Sequence, residues 1–246
     1  MRARITLLLF AILYSFTCLA QTNFEKHFTK KSLRIDFALS GNWDFQAAAI
    51  QQLREEPVWA GPVKNLIDPF GYGGYYINVY DKAGKELIYS RGFNTLFEEW
   101  RSTEQAKTET QSWTNSISIP YPKAPVIIEI TARDKADMQF HPLLKQEIDP
   151  ASIFIDRGKL KENRITKIRY SSGKVDLVFL AEGYTADEQE KFVADAKRFT
   201  EALFKTPPYD TRREDFNVWA VDAVSEESGT DVSGKGIFKN TALNSG

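Results

Sequence analysis

Val175-Asp176-Leu177-Val178-Phe179-Leu180-Ala181-Glu182-Gly183-Tyr184-Thr185 sets the architecture of the C-terminal part of this chain. Val175–Ala181 is apolar except for Asp176, as expected of a strand covered on both faces. Thr185-Ala186-Asp187-Glu188 then forms a capping box. The Thr185 hydroxyl can accept from the Glu188 N–H, and the Glu188 carboxylate can reach back to Thr185. Asp187 and Glu188 also suit the positive end of a helix dipole. The helix runs to about Lys205, with Phe192, Ala196, Phe199 and Leu203 on one face and Glu190, Lys197 and Glu201 toward water. Pro207-Pro208 stops it. Phe216–Val224 is a second apolar strand. Strand, amphipathic helix and strand make a βαβ unit, so the two strands are expected to run parallel through a right-handed crossover.

Upstream the character changes. From Leu33 to Ile148 the signals are strands: Leu33–Leu39, Tyr75–Tyr80, Glu86–Ser90, Gln111–Ile119, Val126–Thr131 and Met138–Ile148. Asp81-Lys82-Ala83-Gly84-Lys85 joins the second and third as a hairpin loop, with Gly84 expected to take a positive φ. A short helix is expected at Thr95–Trp100. Strands at this spacing, punctuated by Gly and Pro, predict an antiparallel β-sandwich over residues 21–150. Asp149-Pro150 and Arg157-Gly158-Lys159 mark residues 151–170 as a linker or crossover, in which Arg164–Tyr170 alternates like a strand. Residues 171–246 carry the βαβ unit and a polar tail. The fold class expected is therefore α+β overall, an N-terminal sandwich followed by the first βαβ unit of an incomplete α/β domain. One helix covers one face of two strands. The other face leaves Val178, Leu180 or their neighbours in water, at about 1.5–3 kcal/mol per large side chain. On this ground the chain reads as the front portion of a longer protein. The alternative is a complete protein whose last segment packs on the sandwich.

The first twenty residues read as an export signal: Arg2 and Arg4, an apolar run Ile5–Phe16 too short to span a bilayer, and Cys18-Leu19-Ala20 before a cleavage point at Gln21. The expected location is secreted or periplasmic, with no stable membrane insertion after cleavage. Lipidation of Cys18 is the weaker alternative, because Ser15-Phe16-Thr17 lacks an aliphatic start and a small-residue finish. Cys18 is the only cysteine, so an exported mature chain would fold without disulfides. A net charge of −1 gives no reason to expect nucleic acid as a partner. The two histidines, His27 and His141, exclude an HExxH helix within these 246 residues and, with one cysteine, a Cys/His zinc site. Neither histidine has a nucleophile or ligand nearby in sequence, and both are read as structural.

Two loops could bear chemistry. Glu182, Gly183 and Tyr184 follow the first parallel strand, where open α/β sheets place ligands. Glu227, Ser228, Gly229, Thr230 and Asp231, after Ser225-Glu226, follow the second and share its sheet edge. Their carboxylates and hydroxyls could line a cleft or hold a hard cation. The spacing does not match a twelve-residue calcium loop, and the plain alternatives are a tight turn and a solvated loop. Glu182 and Glu227 could also form an acid/base pair if their pKa values were pushed apart. The run Tyr72-Gly73-Gly74-Tyr75-Tyr76 reads either as an aromatic core strand or as a strip on which sugars stack. No residue is assigned as catalytic or as a metal ligand.

The segments 175–185, Phe216-Asn217-Val218-Trp219-Ala220-Val221, Glu227-Ser228-Gly229-Thr230-Asp231 and Asn240-Thr241-Ala242-Leu243 resemble the opening of the catalytic domain in the bacterial IgA-peptidase family of secreted zinc metallopeptidases. Ile88–Phe93, Glu98-Glu99-Trp100, Pro120-Tyr121-Pro122 and Ile148-Asp149-Pro150 resemble that family's β-rich N-terminal module. The resemblance implies an incomplete α/β metallopeptidase domain, a protein or peptide substrate, and zinc in the full-length enzyme. It also implies an HExxH helix downstream of the matching segment, which no position here supplies. The chain as it stands is expected to be inactive. The alternative function is a complete secreted β-sandwich that binds glycan or protein.

Overall fold

The computed structural model describes residues 22–159 and 162–244. The export signal expected at residues 1–20 lies outside them. Strand makes up 40% and helix 18%, so sheet pairing organises the protein. The chain divides into two compact units, Met1–Gly158 and Lys159–Gly246.

The first unit holds helix α1 (Phe24–His27), strands β1 (Phe28–Gly41), β2 (Gln46–Glu56), β3 (Tyr75–Asp81) and β4 (Leu87–Phe93), and helix α2 (Leu96–Trp100). Strands β5 (Gln111–Pro122), β6 (Val126–Arg133), β7 (Phe140–Ile148) and β8 (Ile155–Asp156) follow. One four-stranded sheet has the order β5-β1-β2-β8, antiparallel except for the β2–β8 pair. The other is antiparallel in the order β4-β3-β6-β7. Alternate residues of both sheets meet in one hydrophobic cluster: Leu33, Ile35, Phe37 and Leu39 from β1, Ile77 and Val79 from β3, Ile128 and Ile130 from β6. Period-two patterning therefore places the core where the sequence implies it.

Several local expectations change. Gln46–Glu56 carries no strand signal in sequence, because its Ala, Gln, Leu, Arg and Glu are helix formers. It is a strand because Ala48, Ile50 and Leu53 can pack against the core. The hairpin between β3 and β4 takes its positive φ at Lys85, not Gly84. Gly84 instead donates its N–H to Asp81 Oδ2 at 2.8 Å. The Thr95 hydroxyl caps α2 by accepting from the Glu98 N–H at 3.2 Å. Residues 155–156 belong to the first unit's sheet, through the β2–β8 pairing.

In the second unit, β9 (Ile165–Arg169), β10 (Val175–Leu180), α3 (Gln189–Leu203) and β11 (Phe216–Val221) form a three-stranded sheet, order β10-β11-β9, and a helix. β10 and β11 are parallel, paired Leu177 to Val218 and Phe179 to Ala220, with α3 in the connection between them. β9 is antiparallel to β11. Phe192, Val193 and Ala196 of α3 pack with Ala181 and Ala220, and Phe179 adds to this core. The buried stripe of α3 includes Thr200 and leaves out Phe199, which is exposed beneath the Arg198 guanidinium. Val178 and Leu180 are 47% and 51% exposed, so β10 is covered on one face rather than two.

Replacing Phe37, fully buried in the first core, by Ala is expected to lower unfolding stability by about 3–5 kcal/mol. The equivalent change at the exposed Ile153 should stay within about 0.5 kcal/mol. Urea unfolding midpoints measure both, and equal effects would contradict the assignment of the core.

Candidate functional site

β10 and β11 are parallel, so the loops that follow them leave from the same sheet edge. Gly183 and Gly229 make the closest approach. The Gly229 N–H donates to the Gly183 carbonyl at 2.9 Å. Both glycines have positive φ, +72° and +98°, and a Cβ on Gly183 would stand 2.0 Å from the Gly229 carbonyl oxygen. Only glycine fits there.

Ser225 reinforces this junction. Its buried hydroxyl accepts from the Gly183 N–H and from the Ala242 N–H, both at 3.0 Å, and its own N–H donates to the Tyr184 carbonyl at 2.9 Å. Glu182 carries the same latch further along the chain. It accepts from the Thr241 hydroxyl and, at 2.9 Å, from the Leu243 N–H. Glu227 accepts from the Asn240 N–H at 2.7 Å and from Lys239 Nζ at 3.2 Å. Asp231 accepts from the Lys239 N–H at 2.6 Å. The Ser228 hydroxyl donates to Glu188 at 2.9 Å. Thr230 is exposed and takes no part among the described contacts.

Glu188 also closes the helix start, accepting from the Thr185 N–H at 3.1 Å and from the Thr185 hydroxyl at 3.2 Å. A 3-10 turn, Ala186–Glu188, precedes α3, so the α-helix begins three residues later than the box alone implies. Tyr184 lies over Phe192 and donates its hydroxyl to Asp195 at 3.1 Å. Arg198, Lys191 and Tyr184 all donate to Asp195 and hold its carboxyl down to about 2.

The candidate residues therefore come together, apart from Thr230, but their acceptors face the loops' own donors. The Asn240 N–H and Lys239 hold the Glu227 carboxyl below the usual carboxylate range. The Thr185 N–H and Ser228 do the same for Glu188. A carboxylate held ionised in this way is poorly suited to act as a general acid. Among the described residues, no group of three His, Cys, Asp or Glu side chains is placed to hold a metal ion. His141 pairs with Asp137 at 2.8 Å on the first unit's surface. His27 ends α1, where burial and the neighbouring Lys26 lower its pKa. The described residues do not fit a zinc centre.

Two further parts have no structural role readable from local sequence pattern. The segment 239–243, which supplies six donors to the latch, has no apolar periodicity and could be placed only by hydrogen bonding. Asp222, buried just after β11, forms an ion pair with Arg164 at 2.6 Å, and its Oδ1 lacks a hydrogen-bond partner among the described residues.

Two family models match the chain. The Peptidase M64 N-terminus model matches residues 23–143, and the IgA Peptidase M64 model matches residues 164–246. Such domains mark a metallopeptidase-family protein. The chain belongs to the IgA Peptidase M64 family. A search of curated proteins finds no match. Among the described residues, no helix is long and apolar enough to cross a membrane.

Ser225→Ala is expected to lower the second unit's stability by about 1–3 kcal/mol, because it strips two backbone N–H groups of their acceptor. Gly183→Ala should be worse, since it adds a steric clash and positive-φ strain. Thermal unfolding of both variants measures this. A melting temperature unchanged in both would show that the loops are not latched.

Proposed function

We propose that these residues form the N-terminal β-sandwich module and the first βαβ unit of the α/β peptidase domain of an exported, zinc-dependent endopeptidase. The observation that carries the reading is the order of the two family matches, N-terminal module and then peptidase domain, along one chain. The parallel β10–α3–β11 arrangement supports the α/β assignment, because open sheets of this kind carry their sites at the carboxyl ends of the strands. Residues 1–20 act as the export signal and direct the protein to the periplasm or the exterior. The substrate is a protein or peptide.

Zinc is held by an HExxH helix that lies outside these 246 residues, which contain only His27 and His141. Within this chain, Glu182, Ser225 and Glu227 fix the loops at the sheet edge and perform no step on the substrate. By itself the chain is inactive.

The coding sequence that follows the codon for Gly246 tests the reading, and an in-frame HExxH is expected there. A reading frame without one removes zinc peptidase activity from this gene. In parallel, the 246-residue chain incubated with zinc should leave fluorescent casein intact. Hydrolysis that a chelator abolishes would contradict the proposal.

A further inference from the structure

Phe70 and Tyr72 are the largest apolar side chains of the loop 68–74, and both point into water. Their rings stack on each other, 5.7 Å between centroids and 10° between planes, at 70% and 75% exposure. A loop that needed them for packing would turn them inward, at a gain of roughly 1.5–3 kcal/mol each.

The loop is also firmly held. Asp68 accepts from the Phe70 N–H at 3.0 Å and the Gly92 N–H at 3.1 Å, and its own N–H donates to Ser90 Oγ at 2.9 Å. Arg133 donates to the carbonyls of Gly71 and Gly73. The Gly74 N–H donates to Asn94 at 2.7 Å. Gly71 and Gly73 supply the positive φ values this path requires. The result is a rigid mount for two exposed aromatic faces, the kind of pre-organisation that lowers the cost of binding.

Beside this mount, on the outer face of the β4-β3-β6-β7 sheet, lies a cavity of about 360 Å³. Its volume falls in the range of small-molecule sites. Register builds its floor: Tyr76 pairs with Thr131 and Asn78 with Glu129 across β3 and β6. Phe140 of β7 closes one side, 4.9 Å from the Tyr76 ring and beneath the Arg133 guanidinium. The charged groups here are already engaged. Glu129 lies 3.6 Å from Lys145 Nζ and accepts from Tyr80. Asp68 serves the loop's own N–H groups.

The groups left over are neutral. The hydroxyls of Tyr76 and Thr131, both buried, lack a hydrogen-bond partner among the described residues. The Tyr76 hydroxyl lies beside Asp68 without well-directed geometry. The Asn78 amide has no side-chain partner among the described residues. Neutral donors and acceptors beside exposed aromatic faces suit a ring with hydroxyls at its edge and C–H groups on its face.

We propose that Phe70, Tyr72 and Asn78 form a binding site for a neutral pyranose unit of a glycan. The sugar's C–H face packs on the Phe70–Tyr72 pair, and its hydroxyls enter the cavity toward Asn78 and the Tyr76–Thr131 floor. The site is independent of any peptidase activity. Its stacking surface is Phe70 and Tyr72, and not Tyr75 or Tyr76, whose rings are buried.

Saturation-transfer NMR on the full chain, with a panel of methyl glycosides (glucoside, galactoside, mannoside and N-acetylglucosaminide), tests the site. At least one glycoside should bind with a Kd of about 1–10 mM. Tyr72→Ala and Asn78→Ala should each weaken it at least about tenfold, with the melting temperature kept. Phe154→Ala, at an equally exposed aromatic elsewhere in the first unit, should not. Absence of transfer to every glycoside overturns the proposal. So does binding that survives both site variants, or that falls equally in Phe154→Ala.

Discussion

The contact between Gly183 and Gly229 is the constraint on which the second unit depends. Parallel pairing of β10 and β11 delivers two loops to one sheet edge, and there the two backbones touch. No side chain can come between them. Once this contact is made, Ser225 can reach the Gly183 N–H, and Glu182 and Glu227 can take up the donors of residues 239–243. A polar tail with no hydrophobic face is thereby fixed without a core of its own. Three carboxylates at the end of a parallel sheet resemble an active site in sequence. In the structure they provide the acceptors that such a tail needs, because buried or half-buried N–H groups left unpaired cost about 1–3 kcal/mol each.

The second constraint is coverage. Helix α3 buries Phe179, Ala220 and their neighbours, while Val178 and Leu180 on the opposite side stay half exposed. Toward the start of the strands that face is partly polar: Asp176 accepts from the Asn217 amide at 2.8 Å and from the Trp219 indole at 2.7 Å. Lys167 lies over the rings of Trp219 and Tyr170. In the first unit each of the two sheets turns one face to a shared core.

Much of this was legible in the sequence where side-chain periodicity carried the information. Strands β1 and β5 alternate visibly, β3 is rich in aromatic and β-branched residues, and the parallel strands are apolar runs bounded by punctuation. The capping box at Thr185–Glu188 and the Thr95 cap need only local chemistry. The misses share a cause. Gln46–Glu56 has helix-forming residues, and tertiary pairing with β1 overrides them. Phe199 fits a helical stripe in sequence, but the helix is rotated so that Thr200 faces inward. At the candidate site, parallel pairing brings both loops to one sheet edge, but the partners of their carboxylates are not readable in sequence. Which donors a carboxylate meets depends on segments far along the chain, such as Thr241 for Glu182, and no local pattern encodes that. The exposed pair Phe70 and Tyr72 was legible only as aromatic content, since exposure is a property of the folded loop.

The central claim is that the loops after β10 and β11 form one latched structure and are not solvated. Amide hydrogen exchange tests it directly, at Gly183, Gly229, Asn240, Ala242 and Leu243. The latch predicts protection at these five amides comparable to that of strand β11, lost together when the second unit opens. Exchange at Asn240, Ala242 and Leu243 as fast as in an unstructured peptide would contradict it.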